Sequence, residues 1–263
     1  MELRGSSVLL TGATGGIGHA IARRLHAAGA SLVLTGRRLD VLEPLAAEIG
    51  GAATAVDLAD RAAVERLVEE AGEVDVLVAN AALPASGDLL EFSVEQIDRA
   101  LEVNLRAPIM LARVLGERMA QRGRGHIVLI SSLSGKSSQP ASSIYSATKF
   151  GLRGFGQGAR GDLGPRGVGV SVVFPGFIRD AGMFHESGAQ LPKGVGTSTP
   201  DDVATAVLRA IEQNKGELDV APVGMRVGAT FASIAPTFSA KVAKKLGGDK
   251  VTEQLVAGQA DKR

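Results

Sequence analysis

A glycine-rich turn between a strand-like run and a helix-like run limits the fold more than any other stretch of this sequence. Residues 8–11 are apolar without helical spacing, which is typical of a buried strand in a parallel sheet. Residues 12–18 (GATGGIG) follow, and apolar residues then recur at helical spacing up to Gly29, which we expect to cap the helix. Glycines let a phosphate approach the backbone, and the N-terminus of a helix favours an anion. This order predicts a dinucleotide-binding unit in preference to a simple tight turn.

The pattern of a strand followed by a helix continues through most of the chain. Alternation of this kind is typical of βαβ units, which form a parallel sheet with helices on both faces. The sequence therefore predicts an α/β fold, with a Rossmann-type, doubly wound, seven-stranded parallel sheet over residues 1–221. We expect a single domain with a helical C-terminal extension over residues 222–263. The predicted strands are residues 8–11, 31–35, 52–56, 74–79, 126–130, 168–174 and 218–220.

The end of the second predicted strand bears on the choice of cofactor. A dinucleotide-binding fold often carries an acidic residue there, which binds the ribose 2′-hydroxyl. This chain has Gly36 in that place, followed by Arg37 and Arg38, and arginine suits a 2′-phosphate. We therefore predict NADP(H) as the preferred cofactor, with NAD(H) as the alternative. The competing interpretation is a solvated arginine pair that opens the next helix.

Several predicted strands are followed by glycine or polar residues. Ligands of doubly wound sheets bind at the carboxyl ends of the strands. Gly12, Asn80 and Ser132 each stand at such an end, so we expect them to converge on one edge of the sheet. The alternative is that these are unrelated turn residues, and that alternative does not require them to meet at one edge.

The only tyrosine among the 263 residues, Tyr145, precedes Lys149 by four positions. On a helix this spacing puts both side chains on one face, one turn apart. A free phenol titrates near ~10, and a cation one turn away favours the phenolate. We therefore expect Lys149 to lower the pKa of Tyr145 toward the working range of an acid–base catalyst. Taken alone, the pair fits a half-buried tyrosine beside a solvated lysine better, so the surrounding motifs decide.

The composition excludes several classes of function. The net charge is +1, from 29 basic and 28 acidic residues, which gives no electrostatic footprint for nucleic acid. Because the chain has no cysteine and its four histidines are scattered, we predict no disulfide, thiol catalysis or metal site. There is no signal-peptide pattern, and no apolar run approaches the ~20 residues of a membrane span. We expect a soluble, cytoplasmic protein.

Together these motifs resemble those of the short-chain dehydrogenase/reductase family, over residues 6 to about 221. The resemblance implies an NAD(P)-dependent oxidoreductase in which the cofactor carries the hydride. It implies that Asp57 contacts the adenine and that Pro175-Gly176 lines the nicotinamide. The expected cofactor-binding residues are Gly12, Thr14, Gly16, Ile17, Gly18, Arg37, Asp57, Asn80, Tyr145, Lys149, Pro175, Gly176 and Ile178.

The resemblance also implies a catalytic set, which is Asn104, Ser132, Tyr145 and Lys149. Tyr145 would be the general acid in reduction and the base in oxidation, while Lys149 would hold the nicotinamide ribose. Ser132 would position the carbonyl oxygen by a hydrogen bond, and Asn104 would hold a water that links Lys149 to solvent.

Two positions depart from the family pattern. Ala82 replaces the usual glycine of an Asn-Ala-Gly segment, which tightens the expected wall behind the cofactor. Asp180 stands where many members have a threonine that contacts the nicotinamide amide and the phosphates. A carboxylate can accept from an amide but repels phosphate, so the role of that position is open.

These residues predict an enzyme that interconverts a small-molecule carbonyl compound and a secondary alcohol by hydride transfer. The alternative within the enzymes is a 3-oxoacyl thioester reductase, in which Arg122 and Arg124 would meet an acidic carrier protein, although both arginines also fit simple loop charges. Another alternative is a cofactor-sensing protein without turnover, which would not need an activated phenol. We expect a homodimer or homotetramer.

Two segments after the catalytic motifs have patterns of their own. Residues 180–199 are rich in glycine and small polar residues, which favours a mobile lid over a pocket, with a disordered connector as the alternative. In the extension, an apolar stripe is interrupted by Pro236, which we expect to begin a second helix. We predict that the stripe packs on its own or a neighbouring subunit; a membrane surface is the alternative. The stripe is Val227, Phe231, Ile234, Phe238, Val242 and Leu246, with Lys241, Lys244 and Lys245 near its end.

Overall fold

A single parallel sheet forms the centre of the computed structural model, which describes residues 1–192, 194–239 and 248–259. Its strands are Ser7–Thr11 (β1), Ser31–Gly36 (β2), Ala52–Ala55 (β3), Val76–Ala79 (β4), Gly125–Ile130 (β5), Val168–Pro175 (β6) and Glu217–Val220 (β7). The order is β3-β2-β1-β4-β5-β6-β7, and every neighbouring pair is parallel. The order reverses between β1 and β4, which confirms the predicted doubly wound α/β fold.

Helices cover both faces of this sheet, as right-handed crossovers between parallel strands require. They are Gly16–Ala27 (α1), Leu39–Glu48 (α2), Arg61–Glu70 (α3), Val94–Leu101 (α4), Ala107–Arg122 (α5), Ser143–Leu163 (α6), Gly182–Ser187 (α7), Pro200–Gln213 (α8), Val223–Ile234 (α9) and Gly248–Ala257 (α10). Residues 236–239 are also helical, and Pro236 is the first of them, as predicted.

The central strands are buried on both faces, because successive side chains point to opposite sides of the sheet and helices cover each side. In β1, Val8 and Leu10 join the apolar core under α1, α2 and α8, whereas Leu9 joins the core under α3 and α5. All three are fully buried. This double burial explains why the strands read as continuous apolar runs without alternation.

Two of the helices begin with reciprocal side-chain capping. Ser93 and Gln96 form a reciprocal capping box at the start of α4, and Thr199 with Asp202 does the same for α8. After α4 the chain makes a π-helical turn, Glu102–Arg106, before α5 begins. Such a turn adds a residue to the helix, so it re-aims the side chains within it.

The segment after β6 is more ordered than predicted, because it contains α7. In the extension, α10 packs against α7. The exposed fractions of Val227, Phe231, Ile234 and Phe238 are 63%, 47%, 78% and 60%, so the packing of the stripe stays a prediction. Val242, Leu246 and the three nearby lysines lie outside the described residues. None of the described helices combines the length and the hydropathy that a membrane span needs.

Candidate active site

A cavity of about 650 Å³ opens at the carboxyl ends of β1, β4, β5 and β6, beside the reversal of strand order. Gly12, Asn80 and Ser132 all line it, so the three strand ends do meet at one edge. Asn104 does not line it. The other predicted site residues that do are Thr14, Gly16, Ile17, Gly18, Arg37, Asp57, Tyr145, Lys149, Pro175, Gly176 and Ile178.

The glycine-rich turn is held against its neighbours by close backbone contacts. Gly12 has a φ of +67°, and a Cβ on it would lie 2.6 Å from the Cα of Ala81. A Cβ on Gly16 would lie 2.5 Å from the Cβ of Ala181, a residue of the lid. Only glycine satisfies these contacts without a shift of the backbone. The turn therefore presents bare backbone to the cavity, and α1 begins there with no acidic residue in its first turn.

Asn80 and Thr11 join the ends of β1 and β4. Asn80 Nδ2 donates to the carbonyl oxygens of Thr11 and Gly12 at 3.1 and 3.0 Å. The Thr11 hydroxyl accepts from the backbone N–H groups of Asn80 and Ala81 at 3.1 and 3.2 Å. These bonds fix the glycine turn against the neighbouring strand end, so its geometry is set before any ligand binds.

The loop after β2 carries the two arginines. A Cβ on Gly36 would lie 2.6 Å from Thr14 Cγ2, so the glycine turn leaves little room for an acidic side chain at this position. Arg38 Nη2 donates to the carbonyl oxygen of Thr14 at 3.3 Å, which ties the loop to the glycine turn. Arg37 is exposed and forms no ion pair with any residue that the structure describes. Its guanidinium therefore remains available to an anion in the cavity.

Asp57 lies at the same end of the cavity in a paired state. It accepts hydrogen bonds from the backbone N–H of Ala59 at 3.0 Å and from Arg99 Nη2 at 2.9 Å. Burial alone would raise the pKa of Asp57, but these two bonds outweigh burial and hold it below its usual range. Arg99, on α4, also lines the cavity, and no motif in the sequence pointed to it.

Asn104 lies in the π-helical turn and is fully buried. Its Nδ2 donates to the carbonyl oxygen of Leu83 at 2.9 Å, and its Oδ1 accepts from the Leu83 N–H at 2.6 Å. The side chain therefore holds the segment after β4 instead of facing the cavity. The water link to Lys149 that the resemblance implies for Asn104 stays a prediction.

Ser132, Tyr145 and Lys149 form the polar centre of the cavity. Ser132 Oγ accepts from the N–H of Ser134 at 3.1 Å, which leaves its hydroxyl proton for another acceptor. Tyr145 and Lys149 lie one turn apart on α6, with Lys149 Nζ 5.5 Å from the centroid of the Tyr145 ring. Lys149 Nζ also donates to the carbonyl oxygen of Ile130 at 3.0 Å. An ammonium has three donors, so two remain for other partners.

The acid–base balance of this pair differs from the prediction. Burial raises the pKa of Tyr145 to about 12, and a hydrogen bond with Ser132 offsets only part of that rise. Burial also lowers the pKa of Lys149 to about 8, and Lys149 is only 2% exposed. The pKa of Tyr145 is therefore raised and not lowered as expected, because the loss of hydration outweighs the hydrogen bond with Ser132. At neutral pH the phenol keeps its proton.

The lid begins with a strained residue. Asp180 has a φ of +69°, its side chain is 69% exposed, and its nearest cation is Arg179 at 3.6 Å. It does not line the cavity, whereas the next residues, Ala181 to Phe184, do. Aspartate tolerates the left-handed region better than a β-branched threonine does, which accounts for the departure from the family pattern.

Two further arginines occupy the opposite edge of the sheet. Arg122 and Arg124 lie where α5 ends and β5 begins, and Arg124 Nη2 binds Asp75 Oδ1 at 2.9 Å. Arg122 Nη2 donates to the carbonyl oxygen of Val74 at 2.7 Å. These contacts stabilise strand ends that face away from the cavity, so neither arginine supports a carrier-protein surface beside it.

Residues 6–192 match the model of the short chain dehydrogenase family. The chain belongs to this family. It is accordingly an oxidoreductase, and its Rossmann-type fold is the one that its relatives share. The ketoacyl reductase HetN of a Nostoc species is 37% identical over 227 residues, which are 83% of this chain and 79% of that protein.

Two further similarities bear on cofactor and substrate. The 3-oxoacyl-[acyl-carrier-protein] reductase FabG of Rickettsia conorii is 34% identical over 181 residues, which are 68% of this chain and 75% of that protein. A short-chain dehydrogenase from Sphingobium yanoikuyae, solved in complex with NADPH, is 30% identical with a TM-score of 0.76. That similarity covers 89% of this chain and 95% of the other.

Proposed function

We propose that this dehydrogenase uses NADP(H) to reduce a carbonyl compound to a secondary alcohol, with Tyr145 as the general acid. The observation that carries the proposal is the meeting of Ser132, Tyr145 and Lys149 with the glycine turn and the arginine loop in one cavity. The alternative interpretation, a surface tyrosine beside a solvated lysine, does not explain why these groups share a cavity. It also conflicts with the burial of Lys149.

The charges around the cavity fit a dinucleotide with phosphate groups. Its cationic side chains are Arg37, Arg38, Arg99 and Lys149, and its acidic ones are Asp57 and Glu186. Arg99 is neutralised by Asp57, which leaves two arginines beside Gly36. A bare glycine turn at a helix N-terminus binds pyrophosphate, and arginine binds a 2′-phosphate in preference to a 2′-hydroxyl. These features favour NADP(H), and the NADPH complex of the Sphingobium relative is consistent with this choice.

The bound cofactor would supply the hydride, which adds to the carbonyl carbon of the substrate. The electron pair of the C=O bond moves to the oxygen, and the phenol proton of Tyr145 passes to that oxygen to complete the alcohol. Ser132, whose hydroxyl proton is not used by Ser134, donates to the same oxygen and positions it. Lys149 offers its two remaining donors to a ribose and steadies the phenolate that Tyr145 leaves behind.

The raised pKa of Tyr145 suits this direction. A phenol with a pKa of about 12 is fully protonated at neutral pH, so Tyr145 has its proton available for transfer to the substrate. The reverse reaction needs the phenolate, which is scarce at that pH. We therefore infer that the protein works as a reductase under neutral conditions and oxidises alcohols only at higher pH.

The test is the rate of NADPH oxidation with a panel of ketones and aldehydes, for wild type and Tyr145→Phe. Phenylalanine keeps the ring and removes the phenol proton, so hydride transfer should fall by about 10³-fold or more while NADPH still binds. Single-turnover transfer at a near wild-type rate in Tyr145→Phe would contradict the proposal. NADPH binding with no turnover of any carbonyl compound would favour the cofactor-sensing alternative.

A 3-oxoacyl thioester reductase is the second candidate, and the similarity to two ketoacyl reductases favours it. An acyl thioester carries its ketone beside an apolar chain, so the same acid and the same cofactor would serve. Turnover of acetoacetyl thioesters with a kcat/KM well above that of simple ketones would select this candidate. A homodimer or homotetramer and a cytoplasmic location stay predictions.

A further inference from the structure

A second cavity, of about 500 Å³, adjoins the first on the side away from the glycine turn. Ser132 and Tyr145 line both cavities, as do Gly176, Met183, Phe184 and Gln259. The proposed acid therefore stands at the junction of the two spaces. A substrate whose carbonyl meets Tyr145 would extend the rest of its body into this second cavity, which we call the substrate chamber.

The substrate chamber carries no charge among the residues that the structure describes: no Asp, Glu, Lys, Arg or His lines it. Apolar side chains dominate its wall, and the polar side chains that line it carry hydroxyls and amides. A charged group that enters such a space loses its hydration and finds no opposite charge among these described lining residues. Apolar groups gain from the same burial. The larger apolar members of the wall are Leu133, Phe177, Leu191, Met225, Val251 and Leu255.

The C-terminal extension supplies the far side of the chamber. Gly228, Ala229 and Ala232 stand on one face of α9, and all three line the chamber. Their small side chains leave the space that larger residues on that face would fill. Gly228 is exposed and lines the chamber, and a Cβ added to it would meet nothing within 4 Å, so this position can accept a larger side chain.

The end of α10 is fixed to the lid by close contacts. Gln254 Oε1 accepts from the N–H of Gln190 at 2.8 Å, and Gln259 Nε2 donates to the carbonyl oxygen of Met183 at 3.3 Å. A Cβ on Gly258 would lie 2.6 Å from the Cα of Ser187, so α10 ends in backbone contact with the end of α7. These contacts bracket α7 and close the chamber on the lid side.

Gln259 adds a polar atom that points to a ligand. The residue is 4% exposed, lines both cavities, and its Oε1 has no hydrogen-bond partner among the described residues. Its orientation is set by the bond to the Met183 carbonyl, because only Nε2 can donate there. A buried acceptor without a partner is unusual in a folded protein and is expected where a ligand completes the bonding.

We propose that the C-terminal extension completes the substrate chamber and restricts the enzyme to uncharged carbonyl compounds with a large apolar group. This inference rests on the proposed function, since it takes Tyr145 as the acid that meets the carbonyl. Gly228 and Ala232 are the specificity-determining positions, because both line the chamber on α9 and a larger side chain at either position would reduce its volume.

The first test compares substrates with wild-type enzyme and NADPH. In a series of methyl ketones of increasing alkyl length, kcat/KM should rise by roughly fourfold for each buried methylene until the chamber is full. Each ketone is paired with the keto acid of the same length, in which a carboxylate replaces the terminal methyl group. The keto acid should react at least about 100-fold more slowly. Equal rates for the two members of a pair would overturn the proposal.

The second test changes the depth of the chamber. Gly228→Leu adds a side chain at a position that lines the chamber, and it should lower kcat/KM for long ketones about tenfold or more, with short ketones unchanged. Gly224→Leu is the matched control, because Gly224 is on the same helix, also meets nothing within 4 Å, and does not line the chamber. Both changes improve helix propensity, so both variants should fold. An unchanged chain-length profile in Gly228→Leu, and in Ala232→Phe as a second variant, would overturn the proposal.

A binding measurement separates this proposal from the proposed function. Nile red, an uncharged apolar dye, should bind wild type and be displaced by a long-chain secondary alcohol but not by the hydroxy acid of the same length. Gly228→Leu should weaken the dye about tenfold, and Gly224→Leu should not. If no ketone is reduced while this pattern holds, the proposed function fails and the chamber stands. If ketones are reduced but Gly228→Leu leaves the binding of both the dye and the alcohol unchanged, the chamber assignment fails and the proposed function stands.

Discussion

The buried ammonium of Lys149 should make the stability of this protein depend on pH in a way that a single substitution removes. Lys149 is 2% exposed, and burial lowers its pKa from 10.5 to about 8. In the unfolded chain the amine regains its ordinary pKa. Between pH 8 and 10.5 the unfolded state therefore binds more protons than the folded state, so the free energy of unfolding rises with pH through this window.

The magnitude follows from the two pKa values. Each pKa unit corresponds to about 1.4 kcal/mol, so the whole window is worth about 3 kcal/mol, and most of it, about 2 kcal/mol, falls between pH 7 and pH 10. Below pH 8 both states hold the proton, and the folded protein bears the full cost of burying the charge. Tyr145 acts in the opposite sense, because its raised pKa of about 12 removes stability only above pH 10.

Lys149→Met is the informative variant, since methionine is unbranched and of similar length but carries no charge. We expect the difference in unfolding free energy, wild type minus variant, to increase by about 2 kcal/mol from pH 7 to pH 10. Urea unfolding followed by far-UV circular dichroism at each pH measures it, and Tyr145 contributes equally to both proteins. Lys215→Met, at an exposed lysine, is the matched control and should give a constant difference.

Parallel pH curves for wild type and Lys149→Met would refute the reasoning. They would mean that folding does not remove the ammonium from water, and that the single bond to the Ile130 carbonyl does not describe its surroundings. A cost of this size is worth retaining in a folded protein only at a site that uses the charge, so the same experiment bears on the proposed role of Lys149.

Three further predictions concern activity. Below the pKa of Tyr145, and where the phenolate limits the rate, the rate of alcohol oxidation should rise about tenfold per pH unit. The rate of carbonyl reduction should not rise in this way. A pH-independent oxidation rate between pH 7 and 8 would contradict this prediction. Arg37→Gln should lower kcat/KM for NADPH by roughly one to two decades and leave NADH unchanged, with the exposed Arg209→Gln as control; equal losses for both cofactors would count against the 2′-phosphate contact. Asp180→Thr should lower stability by about 1 kcal/mol in urea unfolding, more than Asp180→Asn, because only threonine resists a φ of +69°.

The cofactor side of the cavity was predictable because backbone geometry determines it. Gly12 and Gly16 stand where a side chain would strike Ala81 or Ala181, so the sequence has no freedom at those positions. The strand order and the convergence of Asn80 and Ser132 follow from the alternation of strands and helices in the same way. Constraints of this kind leave a pattern that spacing alone reveals.

Other features left no such pattern. Arg99 reaches Asp57 from a helix 42 residues away in sequence, and nothing in its own neighbourhood marks it. The pKa of Tyr145 was predicted to fall because spacing reports its neighbour Lys149 but not the depth at which both are buried. Asn104 lies in a π-helical turn and its side chain binds Leu83, and no spacing in the sequence marked either feature.

The two halves of the cavity are therefore under different kinds of constraint. The proposed cofactor contacts involve glycines and backbone groups, where almost any substitution moves the main chain. Residues of α9 and α10 line the proposed substrate chamber, and Gly228 on α9 can accept a larger residue without a clash. We expect changes at such lining positions to alter the volume of the chamber while the glycine turn keeps its geometry. A fold built this way can hold one cofactor firmly and change its substrates through the extension alone, which is why the substrate class had to be inferred from the chamber and not from the motifs.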